Sequence, residues 1–263
     1  MIGMYRRRDR VLSASSNNRT IIVSFDQARF ENSFSHSSDP AEYINVLAKR
    51  NAQPMLLPRG YAETYGLIFP AEHPVIIQLS TASKHAVPSW NRTLVCSVQD
   101  AMRAGADAVS LHLTIGNEYE EKMLQDFATV SEEARAAGLP VLLSIFAKGE
   151  RIVQEYDRSL IADSISLGGE LGADIIAVPY SGHEESFARA VHECTAPVLL
   201  TGSHGATTFD AYCNSVENGF NCGTQGVIVP FQTLPHDDIE NSLNRLYALA
   251  TVEESAEPQE DNV

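Results

Sequence analysis

The chain has 263 residues, of which 44% are hydrophobic and 20% are charged, and its formal net charge at pH 7 is −15. This size and balance are typical of one large globular domain with an extensive core. The negative charge argues against a nucleic-acid or anionic-membrane partner, because both bind basic surfaces. No apolar stretch is long enough to span a bilayer and the start of the chain lacks a signal-peptide core, so we expect a cytoplasmic protein.

The two ends of the chain are polar. Residues 1–18 contain four arginines, at 6–8 and at 10, and we predict a flexible or subunit-contacting arm there. An RNA-binding or phosphate-binding patch is the alternative interpretation of these arginines. Residues 252–263 are acidic and predict a disordered tail. The folded domain is therefore expected to occupy residues 19–251.

Eight short apolar segments alternate with helical patterns through this domain. The segments are 20–26, 54–57, 75–80, 108–114, 141–147, 174–180, 198–202 and 226–230. Several are apolar almost throughout, which indicates strands that are buried on both faces. Eight strand–helix units in this length predict an α/β fold, a (β/α)8 TIM barrel. An open doubly wound sheet is the alternative, although no Gly-x-Gly-x-x-Gly motif follows the first strand to support dinucleotide binding.

Helix boundaries are visible between the strands. Ser97 and Asp100 form an N-cap with an acidic first turn, and the helical pattern over 118–137 ends at Gly138. The four cysteines have no Cys-x-x-Cys spacing, so we expect reduced thiols without a zinc site.

Two segments carry a resemblance to a known family. Residues 97–116 read Ser-Val-Gln-Asp-Ala-Met-Arg-Ala-Gly-Ala-Asp-Ala-Val-Ser-Leu-His-Leu-Thr-Ile-Gly, and residues 173–182 read Ala-Asp-Ile-Ile-Ala-Val-Pro-Tyr-Ser-Gly. Both resemble the class I aldolases of the DeoC/FbaB/LacD type, which include archaeal-type fructose-bisphosphate aldolase, the aminodideoxyheptulosonate synthases and the autoinducer-2 thiolase. The resemblance covers about residues 19–238. It implies a TIM barrel, carbon–carbon lyase chemistry and a homo-oligomer, because family members assemble into rings.

The same resemblance shows where this chain departs from the family. Asp26 matches the aspartate that shuttles protons and orients the substrate, and His112 matches a family histidine. The lysine that forms the Schiff base is matched by Ala177, which cannot form an imine. The acid/base tyrosine of the fifth strand is matched by Phe146.

The phosphate-binding turns of the family are only partly kept. The turn after the seventh strand keeps glycines at Gly202 and Gly205, whereas Pro230-Phe231 replaces a Gly-Arg turn after the eighth strand. This change removes a backbone donor and a cation, so a phosphorylated substrate is less expected.

We predict an aldolase-like enzyme that makes or breaks a carbon–carbon bond, or enolises a related small carbonyl compound, without the usual lysine imine. Asp26 would move protons, and His112 with Tyr180 would stabilise the oxyanion. Lys148 is either a relocated imine-forming lysine or a contact to an anion. A thiolase-like acyl transfer depends on the missing lysine. The alternative from another class is a catalytically inactive barrel that acts as a binding or regulatory subunit.

The predicted substrate contacts lie at strand ends and in the loops that follow. They are Gln27, Ser80, Phe146, Ala177, Gly202, Ser203, His204 and Gly205. The 202–205 turn would hold an anionic end of the substrate. A metal site built from Asp26, His85, His112, His183 and His204 is an alternative that no ligand spacing supports, so we expect neither metal nor cofactor.

Overall fold

The computed structural model describes residues 2–12, 19–26, 40–50, 53–83, 85–86, 88, 90–203 and 206–251. The strands are β1 (Thr20–Ser24), β2 (Met55–Pro58), β3 (Val75–Gln78), β4 (Ser80–Thr81), β5 (Thr93–Leu94), β6 (Ala108–Ile115), β7 (Val141–Ala147), β8 (Ile175–Tyr180), β9 (Val198–Ser203) and β10 (Gly226–Pro230). The helices are α1 (Ile2–Val11), α2 (Pro40–Leu47), α3 (Arg59–Tyr65), α4 (Val98–Arg103), α5 (Glu120–Ala137), α6 (Arg158–Glu170), α7 (Glu184–Glu193), α8 (Phe209–Asn221) and α9 (Ile239–Ala250).

Eight parallel strands close into a barrel in the order β1-β10-β9-β8-β7-β6-β3-β2. Closure is direct, because β1 pairs with β10 from Thr20↔Gly226 to Ser24↔Pro230. Each of the eight segments that the sequence predicts as a strand forms one, and the predicted TIM barrel is confirmed. The open-sheet alternative is wrong, since the first and last strands pair with each other. No helix in the described ranges is long and apolar enough to cross a membrane.

Alternating side chains divide the core into two layers. The inward-facing residues form one apolar cluster with Ala177 at full burial; its other members are Val11, Ile22, Leu56, Ile76, Ala108, Leu142, Ile175, Leu199 and Ile228. The outward-facing residues pack under the helices in a second, larger cluster. Residues that pair in register on neighbouring strands face the same side, so the pairs His112↔Ser144 and Ser144↔Ala177 place these three residues on the inner face.

The two predicted helix boundaries agree with the structure. The Ser97 side chain accepts a hydrogen bond from the Asp100 backbone at the start of α4, and Gly138 ends α5 with a φ of 68°. A left-handed residue of this kind is most easily a glycine.

The N-terminus differs from the flexible arm expected over 1–18. Residues 2–11 form α1, and the Val11 side chain is fully buried in the inner cluster. The Thr20 hydroxyl donates to the Val11 carbonyl over 2.9 Å. Helix α1 therefore closes the end of the barrel at which the strands begin. Residues 13–18 and the predicted tail at 252–263 lie outside the described residues.

Two arginines of the basic cluster hold α1 in place. Arg7 donates to the Gly138 carbonyl over 2.8 Å, and Arg10 pairs with Asp107 at 2.7 Å. Asp107 immediately precedes β6 and Gly138 lies shortly before β7, so both partners are at the closed end of the barrel. These arginines are thus used inside the chain, which weakens the RNA-binding interpretation.

Replacing Val11 by alanine is expected to lower the free energy of unfolding by about 2 kcal/mol, because it removes two buried methyl groups and leaves a cavity under the strands. Urea denaturation followed by circular dichroism measures the loss. Ile2→Ala is the control, since Ile2 is 79% exposed on the same helix. Equal stabilities of the two variants would show that α1 does not contribute to the core.

A hairpin that the sequence pattern does not predict stands over the open end of the barrel. After β3, the chain forms β4 and β5, which pair antiparallel with Ser80 opposite Leu94. The Val95 backbone donates to the Leu79 carbonyl over 2.9 Å, so the end of the hairpin lies beside the residue that follows β3. The returning arm places Arg92 next to the barrel interior.

Candidate functional site

A buried polar cluster lies where β1, β3 and β6 end. Asp26 follows β1 and is 4% exposed, and His112 lies on the inner face of β6 and is 8% exposed. Arg92 from the hairpin donates from Nη1 to Asp26 Oδ2 over 3.1 Å. The His112 Nδ1 atom lies 3.5 Å from the same carboxylate oxygen. The structure therefore brings Asp26 and His112 together, as the sequence predicts, and adds a cation.

Ser80 links these residues through its backbone and its hydroxyl. Its carbonyl accepts from Arg92 Nη1 at 3.3 Å and from Gln78 Nε2 at 3.1 Å. Its hydroxyl accepts from the His112 backbone N–H and from Gln78 Nε2, each at 3.2 Å. Ser80 is thus held firmly beside the predicted catalytic pair.

Arg92 is the site residue that sequence reasoning missed. Its side chain is only 3% exposed, and burial lowers the pKa of its guanidinium while the Asp26 carboxylate opposes that shift. An arginine starts from so high a pKa that it stays charged. It follows no strand of the barrel, because it reaches the site on the hairpin, and only the pairing of β4 with β5 shows where it lies.

Ala177 occupies the inner face of β8. It is fully buried and pairs in register with Ser144 on β7 and Leu199 on β9. Within the described ranges, no barrel strand contains a lysine. The interior next to Ala177 therefore has no amine on a neighbouring strand.

Phe146 and Lys148 lie at the end of β7. The Phe146 ring meets the His112 ring nearly edge-on, with centroids 5.8 Å apart, so Phe146 borders the polar cluster. The Lys148 amine pairs instead with Glu155 at 3.1 Å, and these side chains are 28% and 42% exposed. Lys148 is therefore a rim residue that already has an acidic partner.

Tyr180 contacts residues of the outer core, and its predicted role beside His112 stays a prediction. Its ring packs edge-on against Phe187 of α7 at 5.2 Å, in the outer core. Burial, with smaller contributions from Cys222 and Glu184, raises the pKa of its hydroxyl to about 12. The pairing of β8 with β9 also shifts between Val178 and Tyr180. In a regular strand Tyr180 would face opposite to Ala177, and this alternation is a signal that could have been read from the sequence.

The remaining predicted contacts are only partly described. Gly202 has a φ of 81°, a conformation that favours glycine, at the end of β9. The Ser203 backbone belongs to β9, whereas its side chain, Gln27, His204 and Gly205 lie outside the described residues. After β10, Phe231 is fully buried and stacks on Phe25 at 5.1 Å, so this turn is filled by an aromatic pair.

The histidines of the metal alternative are dispersed where the structure describes them. His183 contacts Arg158 and Ser186, each at 3.1 Å, and lies at the start of α7. His85 is exposed on the hairpin. The described part of the chain contains no group of three or more His, Cys, Asp or Glu residues that could hold a metal ion.

Comparisons with known proteins place this barrel in a family. The 2-amino-3,7-dideoxy-D-threo-hept-6-ulosonate synthase of Halobacterium salinarum is 32% identical over 166 residues, which are 61% of this chain and 62% of that protein. A synthase of the same name from Archaeoglobus fulgidus is 28% identical over 233 residues, 86% of this chain and 83% of that protein.

Solved structures agree with the fold. An archaeal fructose 1,6-bisphosphate aldolase superposes with a TM-score of 0.78 at 23% identity, over 94% of this chain and 98% of that one. A second structure, with the catalytic Lys covalently bound to the carbinolamine intermediate of the substrate, gives 0.74 at the same identity and coverage. The family model for the DeoC/LacD family aldolase matches residues 20–229. The chain belongs to the DeoC/LacD family of aldolases.

Proposed function

We propose that this protein enolises a small carbonyl compound, and joins or cleaves a carbon–carbon bond next to the carbonyl, without an imine on β8. The observation that carries this proposal is the contact of Asp26 Oδ2 with both His112 and Arg92, at 3.5 and 3.1 Å, at the mouth of a family barrel. A carboxylate, an imidazole and a guanidinium in one buried cluster provide a proton acceptor and two hydrogen-bond donors.

In the proposed reaction, Asp26 takes a proton from the carbon next to the carbonyl. The electrons of that C–H bond form the C=C bond of an enol or enolate, and the carbonyl π electrons move to the oxygen. His112 donates a hydrogen bond to that oxygen as its charge develops, which is most effective in a site that excludes water. The nucleophilic carbon then attacks an aldehyde to form the new carbon–carbon bond, and the reverse sequence cleaves it.

The absence of an imine is part of the proposal. A related archaeal aldolase has a structure in which its catalytic Lys is covalently bound to a carbinolamine intermediate. In this chain, the resemblance in β8 pairs that lysine with Ala177, whose methyl group is fully buried inside the barrel. Lys148 is held by Glu155 at the rim and is a weak substitute. Hydrogen-bond donors around the carbonyl oxygen would therefore replace covalent activation.

A catalytically inactive binding subunit is the second candidate. It is favoured by the buried Arg92–Asp26 ion pair, because Asp26 Oδ2 already accepts a hydrogen bond from the guanidinium. Both candidates use the same pocket, and they differ in whether the protein moves protons of its ligand.

Deuterium incorporation from D2O into pyruvate, hydroxyacetone and dihydroxyacetone phosphate tests the proposal by NMR. We expect exchange next to the carbonyl of at least one of these ketones. Asp26→Asn should slow the exchange about 100-fold, because general base catalysis is typically worth that much or more. Asp126→Asn on α5 is the control and should leave the rate unchanged. A ligand that raises Tm without any exchange would favour the binding subunit.

A further inference from the structure

We propose that Arg92 binds the carboxylate of a small 2-oxo acid, so that the substrate of this site carries its negative charge directly beside the reacting carbonyl. This assignment rests on the proposed function and narrows its substrate class. Arg92 would be a substrate-binding residue that also positions Asp26.

The first argument concerns which nitrogen atoms of the Arg92 guanidinium donate hydrogen bonds. Both hydrogen bonds that Arg92 makes to described residues come from Nη1, one to Asp26 Oδ2 and one to the Ser80 carbonyl. Towards the described residues, Nε and Nη2 donate no hydrogen bond, although the side chain is only 3% exposed. A guanidinium edge with two parallel N–H groups matches a planar carboxylate.

The second argument is distance along the substrate. Arg92 and His112 both contact the same Asp26 oxygen, so the groups that they bind must lie close to the carbon that Asp26 deprotonates. In a 2-oxo acid, the carboxylate carbon is two bonds from that carbon, with the carbonyl between them. The phosphate of dihydroxyacetone phosphate also lies beyond the carbonyl, but it is farther from the deprotonated carbon, because a methylene group and an ester oxygen intervene.

The third argument concerns charge. Asp26 already compensates the Arg92 charge, so a bound carboxylate would add one negative charge to a neutral pair. His112 lies 3.5 Å from the same Asp26 oxygen and could supply the balancing positive charge by taking a proton. A carboxylate adds one negative charge, which a single proton on His112 balances. A phosphate monoester adds up to two negative charges, which one proton does not balance. The position after β10 offers no cation for a phosphate either, because Phe231 is buried against Phe25.

The interior beside this cluster is polar and only partly satisfied. Gln78 on β3 and Ser110 on β6 pair in register and alternate with the inward-facing Ile76 and Ala108. Gln78 is 4% exposed and Ser110 is fully buried, yet Gln78 Oε1 and Ser110 Oγ have no hydrogen-bond partner among the described residues. Buried polar atoms are normally paired, so a polar ligand group or a water is expected to meet them.

Binding of oxamate, a planar stand-in for a 2-oxo acid with a single negative charge, tests the proposal by isothermal titration calorimetry. We expect wild type to bind oxamate. Arg92→Gln should weaken binding about 100-fold, because it removes a buried charged contact, and Arg92→Lys about 10-fold, because it keeps the charge and loses the fork. Arg103→Gln is the control, since that side chain is 71% exposed on α4, and should bind as wild type does. Circular dichroism checks that each variant folds. If Arg92→Gln does not fold, the binding affinity of Arg92→Lys alone tests the proposal.

The exchange assay supplies the second readout. Pyruvate should exchange deuterium faster than neutral hydroxyacetone in wild type, and Arg92→Lys should slow the exchange of pyruvate more than that of hydroxyacetone. Unchanged oxamate affinity in the Arg92 variants, or tighter binding of inorganic phosphate than of oxamate, would overturn the assignment of a carboxylate. If oxamate binding depends on Arg92 but no ketone exchanges, the anion site stands and the proposed enzymatic function fails. If ketones exchange and Arg92 has no effect, the function stands and this inference fails.

Discussion

Replacing Arg92 by methionine is expected to lower the free energy of unfolding by about 3–5 kcal/mol, the range found when one partner of a buried ion pair is removed. The two side chains are 3% and 6% exposed, so the Asp26 carboxylate would be left uncompensated in the barrel interior. Methionine replaces the apolar stem of the arginine, which limits the cavity to the space of the guanidinium. Chemical denaturation with guanidinium chloride measures the change at the midpoint.

Two further variants separate the charge effect from packing. The double variant Arg92→Met, Asp26→Asn should regain much of the lost stability, because neither member then carries an unpaired charge. Arg103→Met breaks an exposed pair with Asp100, whose side chains are 71% and 39% exposed, and should cost less than about 1 kcal/mol. If Arg92→Met lowers the free energy of unfolding no more than Arg103→Met does, the buried Arg92–Asp26 pair stabilises the fold no more than an exposed ion pair.

Borohydride trapping should give an all-or-none result. Reduction of the wild-type protein with dihydroxyacetone phosphate or pyruvate present is expected to leave every lysine unmodified, because Lys148 is paired with Glu155 at the rim and the barrel strands, as described, hold no amine. Ala177→Lys should instead gain a stoichiometric reduced adduct. A lysine at this fully buried position would have a lowered pKa and a nucleophilic amine. Mass spectrometry of the intact protein and its peptides measures the adduct.

Ala177→Met is the matched control for trapping. It adds a side chain of similar length without an amine, so it tests whether the interior tolerates the volume and should give no adduct. An adduct on Lys148, or on any lysine of the wild-type protein, would contradict the proposal that the reaction proceeds without an imine. It would favour a relocated covalent mechanism instead.

Local patterns predicted much of the scaffold. The continuous apolar runs, such as 141–147, are strands because both of their faces are covered, the inner face by the barrel core and the outer face by helices. Ser97 and Gly138 mark helix ends because capping depends on neighbouring backbone groups. Asp26 and His112 could be expected to meet because parallel strands end on the same side of a barrel.

Other features depend on contacts between distant parts of the chain. Helix α1 buries only Met4 and Val11, and its arginines find their partners at Gly138 and Asp107, more than 90 residues away. A local pattern of charges does not show such partners, so the segment looks like a solvated arm. Tyr180 packs in the outer core, because it lies three residues after the inward-facing Ala177 along β8.

The amino-acid sequence by itself determined the strand–helix alternation, the family to which the barrel belongs and the alanine at position 177, since each depends on residue order alone. Only the tertiary structure decided that Arg92 joins Asp26. The strands of its hairpin are two residues each, too short to produce a periodic signal, and the ion pair spans 66 residues of sequence. The chemistry proposed for this site therefore depends on a contact that exists only when the barrel is closed and the hairpin is folded over it.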